Sequence, residues 1–200
     1  VEDNVGIGTN NPTTDPSPAN DIATGNLDVN DIFLRSTGQF VSQIVGTLVQ
    51  TVYAQNGDRL LTSNTIDNHS LPSISNGLEF LRATIRPTNA NNRLRIRVQA
   101  ILDQSGSGRS ANMVLFRGNT PISGSHLQFS ESLPGYGESA FLEFETTAGT
   151  IDLVTFTVRF GPHRSPDIAA VNGRVDGSDY GRLGGIVIST IVVEELLLPN

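Results

Sequence analysis

Asn92-Arg-Leu-Arg-Ile-Arg-Val-Gln-Ala100 and Val154-Thr-Phe-Thr-Val-Arg-Phe160 alternate apolar and polar residues without a break. In the first, Leu94, Ile96, Val98 and Ala100 stand against Arg95, Arg97 and Gln99. In the second, Val154, Phe156, Val158 and Phe160 stand against Thr155, Thr157 and Arg159. Successive side chains of a strand point to opposite faces, so each stretch predicts a strand with one buried face and one solvated or interface face. Outward from these two, the same reading predicts strands over 78–86, 112–117, 139–147, 168–175 and 186–196. They are set apart by turn clusters such as Ser105-Gly-Ser-Gly108 and Gly118-Asn119. Nothing from residue 78 onward sustains a helical period. The prediction is an all-β fold, an antiparallel β-sandwich with jelly-roll topology.

Composition narrows the function classes. The net charge is −7 and all 13 basic residues are arginine, so the clustered positive charge of an unspecific nucleic-acid or anionic-membrane binder is missing. No nucleic-acid partner and no membrane insertion are expected, since no apolar run approaches the roughly 18 residues of a span. Without cysteine, no disulfide scaffold or thiolate metal site can form. Charged residues make up 16% of the chain, against about 25% in ordinary soluble domains. Ser, Thr, Asn and Gly together supply 73 of the 200 residues, a neutral, hydroxyl- and amide-rich surface suited to short strands and many turns. The apolar supply of 37% predicts a marginal single-chain core, completed by further copies of the chain. Val1 in place of an initiator methionine predicts a processed or truncated segment.

Residues 1–40 differ from the rest. They contain Pro12, Pro16 and Pro18 and only short apolar pieces, Val5 to Ile7 and Leu27 to Val29, with Ile32 and Leu34 alternating one slip later. Such a stretch cannot build a core and predicts an extended β-structured stem that buries Val5, Ile7, Leu27 and Val29 against partner chains. Residues 41–54 read as a neck and first head strand. Val41, Val45, Leu48 and Val52 fit a short coiled-coil seam, whereas the β-branched run favours a strand over 47–54, with a helical turn or two over 38–45. Residues 55–200 form the head.

No nucleophile-elbow, zinc-protease or P-loop pattern is present. Glu143 and Glu145 lie two apart on one predicted strand face, opposite Leu142 and Phe144, as solvated carboxylates would. Catalytic carboxylate pairs usually face each other across a cleft, about 5–10 Å apart. Asp176-Gly-Ser-Asp179 has the oxygen-rich look of a calcium loop but lacks the later ligands, and an Asx-turn explains it equally. No catalytic residue, metal or cofactor is expected. Arg93, Arg95 and Arg97 form a one-faced stripe, with Arg82 and Arg86 on a neighbouring strand. Arginine's planar fork suits ion pairs across a subunit boundary, so acidic residues of an adjacent chain are the expected partners. Candidates for receptor binding are His126, Tyr136, His163, Arg164 and Tyr180, polar or aromatic residues in connections bounded by Gly or Pro.

Asn4-Val-Gly-Ile-Gly-Thr-Asn-Asn-Pro12 resembles the N-V-G-I-G-T-x-x-P repeat of phage tail-fibre shafts, which an L-x-V stretch such as Leu27-Asp-Val29 often follows. The head resembles a phage fibre C-terminal domain at Leu48-Val-Gln-Thr-Val-Tyr53, Thr84-Ile-Arg-Pro-Thr88, Asn92 to Arg97, Leu115-Phe-Arg-Gly-Asn-Thr-Pro-Ile122, Val154 to Arg159 and Ile191-Val-Val-Glu-Glu195. Thr146-Thr-Ala-Gly149 departs from the family's D-x-P segment. The resemblance implies a homotrimeric, extracellular virion fibre whose distal loops touch a host surface glycan or other receptor. Other tail or baseplate proteins would be joined through a missing N-terminal part. The alternatives are a purely structural fibre or decoration protein, and a glycan depolymerase using Glu143 or Glu145.

Overall fold

The computed structural model describes residues 32–34, 39–41, 46–105, 110–129, 137–177 and 185–197. The chain divides into two compact units, with the boundary at Val45/Gly46. In the first, β1 (Ile32–Leu34) pairs antiparallel with β2 (Gln39–Val41), Ile32 opposite Val41. Residues 39–41, expected within a helical turn, are thus strand. Inter-strand pairing satisfies backbone groups that a one-turn helix would leave half unbonded. Val5, Ile7, Leu27, Val29 and Val45 lie outside the described residues.

The second unit is all β among the described residues. Its strands are β3 (Leu48–Asn56), β4 (Leu60–Thr62), β5 (Leu78–Ile85), β6 (Arg93–Gln104), β7 (Ser110–Arg117), β8 (Thr120–Gln128), β9 (Glu138–Thr147), β10 (Val154–Pro162), β11 (Ala169–Val171) and β12 (Ser189–Leu196). One sheet runs β5-β10-β7-β8. The other runs β3-β12-β6, with β9 on the far edge of β6 and the short pair β11-β4 continuing past β12 from Leu102 to Gln104. With β4 and β11 set aside, the first of the eight remaining strands pairs with the last, the last with the third and the third with the sixth. The second, seventh, fourth and fifth make the opposite sheet. That is the strand order of a jelly roll.

Every pairing is antiparallel, as alternating patterns require. Leu94, Ile96, Val98, Ala100 and Leu102 of β6 face inward against Val154, Phe156, Val158 and Phe160 of β10, Met113 and Leu115 of β7, and Ile191 and Val193 of β12. The main cluster comprises 24 buried residues drawn from one chain, so this core closes without a second copy. Phe80 and Phe160 meet edge to face at 5.4 Å, a geometry favoured by the ring quadrupoles. A smaller cluster, Ile66, Val114 and Phe116 with Ile74 against it, shows the connection 57–77 laid over the outer face of the β5-β10-β7-β8 sheet. This is why β7 is buried almost throughout despite its lack of clean alternation.

The predicted strand at 168–175 is shorter than its pattern. β11 ends at Val171 because Asn172 adopts φ 57°, a left-handed conformation that strands exclude and Asn tolerates. Asn172 earns its place through side-chain bonds: its Nδ2 donates to the carbonyls of Asn56 (2.7 Å) and Asp58 (3.1 Å), and Ser189 Oγ donates to its Oδ1 (2.6 Å).

Candidate functional site

The antiparallel register sorts the connections into two ends. The amide of Gly46 donates to Leu197 O (3.2 Å), so the head begins and closes at one place. The short connections 86–92, 118–119 and 148–153 share that near end, tied by Ala148 N to Asn92 O (2.8 Å) and Gly118 N to Thr155 O (2.9 Å). At its centre Glu195, fully buried, accepts from Gln50 Nε2 (2.5 Å), Asn92 Nδ2 (2.7 Å), and Thr88 N and Oγ1 (both 2.8 Å). Burial pushes its pKa up, but the bonds from Gln50, Asn92 and Thr88 outweigh this and hold it below the usual glutamate value.

The described residues of the other connections, 57–77, 105, 129, 137, 163–177 and 185–188, lie at the opposite, far end. The described receptor candidates all gather there: His126 near the end of β8, and His163 and Arg164 just past β10. Tyr136 and Tyr180 lie outside the described residues. Candidate residues far apart in the chain therefore belong to one end of one scaffold.

At that end, His163 is anchored by its backbone amide on Ser110 O (3.0 Å), and its ring meets that of His69 edge to face at 5.8 Å. His69 stands in an Asx-turn: its amide donates to Asp67 Oδ1 (3.1 Å). That bond, against a small desolvation penalty and helped by the His69 charge and the Ser70 hydroxyl, lowers the Asp67 pKa. Next to it, Asn68 Oδ1 accepts from Asn112 Nδ2 (2.5 Å), and Asn112 Oδ1 contacts His126 Nδ1 (2.7 Å). Arg164 lies against Asp167 (3.7 Å). All 3 histidines of the chain are joined here through Asn68 and Asn112 or by direct contact. His69, Asn68 and Asn112 were not selected from the sequence. The polar Asn112 inside the apolar run Ala111 to Phe116 was the signal available.

Arg93, Arg95 and Arg97 do share the outward face of β6, but their acidic partners are in the same chain. Glu194 of β12 binds both Arg95 (2.8 Å) and Arg97 (2.7 Å), and Glu145 of β9 binds Arg93. The bond from Glu194, opposed by desolvation, raises the Arg95 pKa further. Balanced carboxylates on both flanking strands remove the need for a neighbouring chain to neutralise the stripe. Arg82 corrects the expectation a second time, because β5 belongs to the opposite sheet and Arg82 is held by Glu79 (2.8 Å). On the same outward face as the arginines, Tyr53 and Phe141 are 72% and 59% exposed.

No three His, Asp or Glu side chains converge in metal-ligand geometry among the described residues. No helix among them is long and apolar enough to cross a membrane.

No protein-family model matches the chain, and neither does any curated protein. Among solved structures, the chain is similar to infectious bursal disease virus VP2 in a subviral particle, with TM-score 0.36 and 9% identity over 76% of this chain and 39% of that one. It is similar to the C-terminal domain of EclA, a sugar-binding protein, with TM-score 0.32 and 14% identity over 68% of this chain and 90% of that one. It also matches the insecticidal delta-endotoxin Cry8Ea1 from Bacillus thuringiensis, with TM-score 0.33 and 13% identity over 62% of this chain and only 19% of the toxin.

Proposed function

We propose that the chain is the C-terminal region of a bacteriophage tail fibre that attaches the virion to its host, binding a surface glycan through the far end of the jelly roll. The observation that carries this reading is topological. The residues chosen for their chemistry, His126 on β8 and the pair His163 and Arg164 just past β10, lie at the end opposite Gly46 and Leu197. A head held from its N-terminal side presents that end outward. The N-V-G-I-G-T-x-x-P stretch at Asn4 to Pro12 supports a fibre shaft in the sequence ahead of the head. In this reading the working form is an extracellular homotrimer whose Val5, Ile7, Leu27, Val29, Val41 and Val45 lie between chains, joined to other tail or baseplate proteins. Adhesion by several tethered heads multiplies weak single-site contacts and needs no catalytic residue.

Competition adsorption tests it. The purified protein should block adsorption of the phage that carries it, and the triple variant H69A/H163A/R164A should lose that block while keeping its fold by circular dichroism. Undiminished blocking by the variant overturns the assignment of the far end. Sedimentation giving a stable monomer of the whole chain overturns the trimer.

A further inference from the structure

Which hydrogen-bonding groups the far end offers a ligand is set by one buried amide. Asn112 is 6% exposed, and its Nδ2 lies 2.6 Å from the carbonyl oxygen of Ile66 and 2.5 Å from Asn68 Oδ1. A backbone carbonyl can only accept, so the atom facing it is the amide nitrogen, and the atom 2.7 Å from His126 Nδ1 is therefore the amide oxygen. That oxygen carries no hydrogen, so the proton between them belongs to His126 Nδ1. A neutral imidazole holds one ring proton, and Nε2 is left as a bare lone pair. His126 stands exposed on β8, with Asn112 as its one hydrogen-bond partner among the described residues.

We infer that Asn112 is a positioning residue that locks His126 in the Nδ1–H form, making Nε2 a dedicated acceptor that takes a saccharide hydroxyl and rejects an anionic oxygen. The ligand half of this rests on the far end being the receptor-binding surface. A sugar hydroxyl brings a hydrogen to the lone pair, whereas a carboxylate or sulfate oxygen brings only further lone pairs and leaves both groups unsatisfied at contact. A metal ion could also use Nε2, since metal-bound histidines are commonly oriented through their other nitrogen. Among the described residues, however, no group of three His, Asp or Glu side chains that could hold a metal ion forms. Arg164 does not reverse the preference for uncharged ligands, because Asp167 lies 3.7 Å from it. The class of ligand is thus an uncharged, hydroxyl-bearing saccharide at the His126 contact.

Two measurements test it on the full chain. A long-range nitrogen–proton correlation spectrum of the ¹⁵N-labelled protein should show His126 with a protonated Nδ1 and a bare Nε2, and N112A should restore exchange between tautomers. A wild-type His126 protonated at Nε2 overturns the positioning role even if N112A fails to fold. On an array of neutral, uronate-bearing and sulfated saccharides, the protein should prefer neutral ones, and H126A should weaken that binding about tenfold or more, the scale of one well-made hydrogen bond. Preference for the anionic set, or neutral binding indifferent to H126A, overturns the inference. Binding that survives H69A/H163A/R164A as well as H126A overturns instead the far end as the receptor surface.

Discussion

Glu195 concentrates several demands on a single side chain. Its carboxylate is buried and fully bonded, and the bonds keep its native pKa below that of an unfolded glutamate. A depressed carboxyl stabilises the fold above the unfolded value and loses that contribution as pH falls toward the native value. Urea midpoints of the wild type should therefore decline in acid more steeply than those of Glu195→Gln. At neutral pH the variant should be less stable by about 1–3 kcal/mol, because an amide turns one donor against the donors of Thr88 and Asn92. Gly161 makes a second residue-level case: a Cβ there would stand 2.3 Å from Asn64 O and 3.2 Å from Ile66 Cγ1. Gly161→Ala should cost about 1–3 kcal/mol by overpacking, with proteolysis appearing first in the connection 57–77. Neither role is legible in the sequence. Glu194 and Glu195 are adjacent in a strand and so face opposite sides, Glu194 toward the arginines and Glu195 inward beside Ile191 and Val193, where the alternation would lead one to expect an apolar residue.

Strands with an unbroken period of two were legible, because half-buried sheets demand it. β5, β9, β10 and β12 fall within three residues of the reading, and β6 runs four residues beyond Ala100 to Gln104. β8 was not legible. Thr120-Pro-Ile-Ser-Gly-Ser-His-Leu-Gln128 carries a proline and a glycine that read as turn residues, but β8 is the last strand of its sheet, where proline is tolerated. β6 is the opposite case, paired along both edges. Ile96→Ala, at its fully buried centre, should cost about 2–5 kcal/mol in chemical denaturation. Glu194→Gln, buried beneath Arg95 and Arg97 on the outer side of the same sheet, should cost about 1–3 kcal/mol, because it removes the charge from two charge-assisted hydrogen bonds. A larger loss from Glu194→Gln than from Ile96→Ala would mean that the ion-pair ladder, and not the apolar face, holds the sheet.

For the whole molecule, composition suggested a core too thin to stand alone, and topology removed that concern by closing one cluster between the two sheets of a single chain. Residues 46–200 expressed alone should unfold in one cooperative transition whatever their oligomeric state. A broad, non-cooperative melt of that piece would return the core to dependence on partner chains. The arrangement of β3 and β12 has a mechanical consequence. They pair antiparallel from Leu48 opposite Leu196 to Asn56 opposite Ser189, and the N-terminal side of the head is anchored beside that ladder. A pull between Gly46 and a ligand held at the far end runs along the strands, so the inter-strand bonds, which lie perpendicular to them, carry the load together in shear. They do not open one after another as in a zipper pulled from its end.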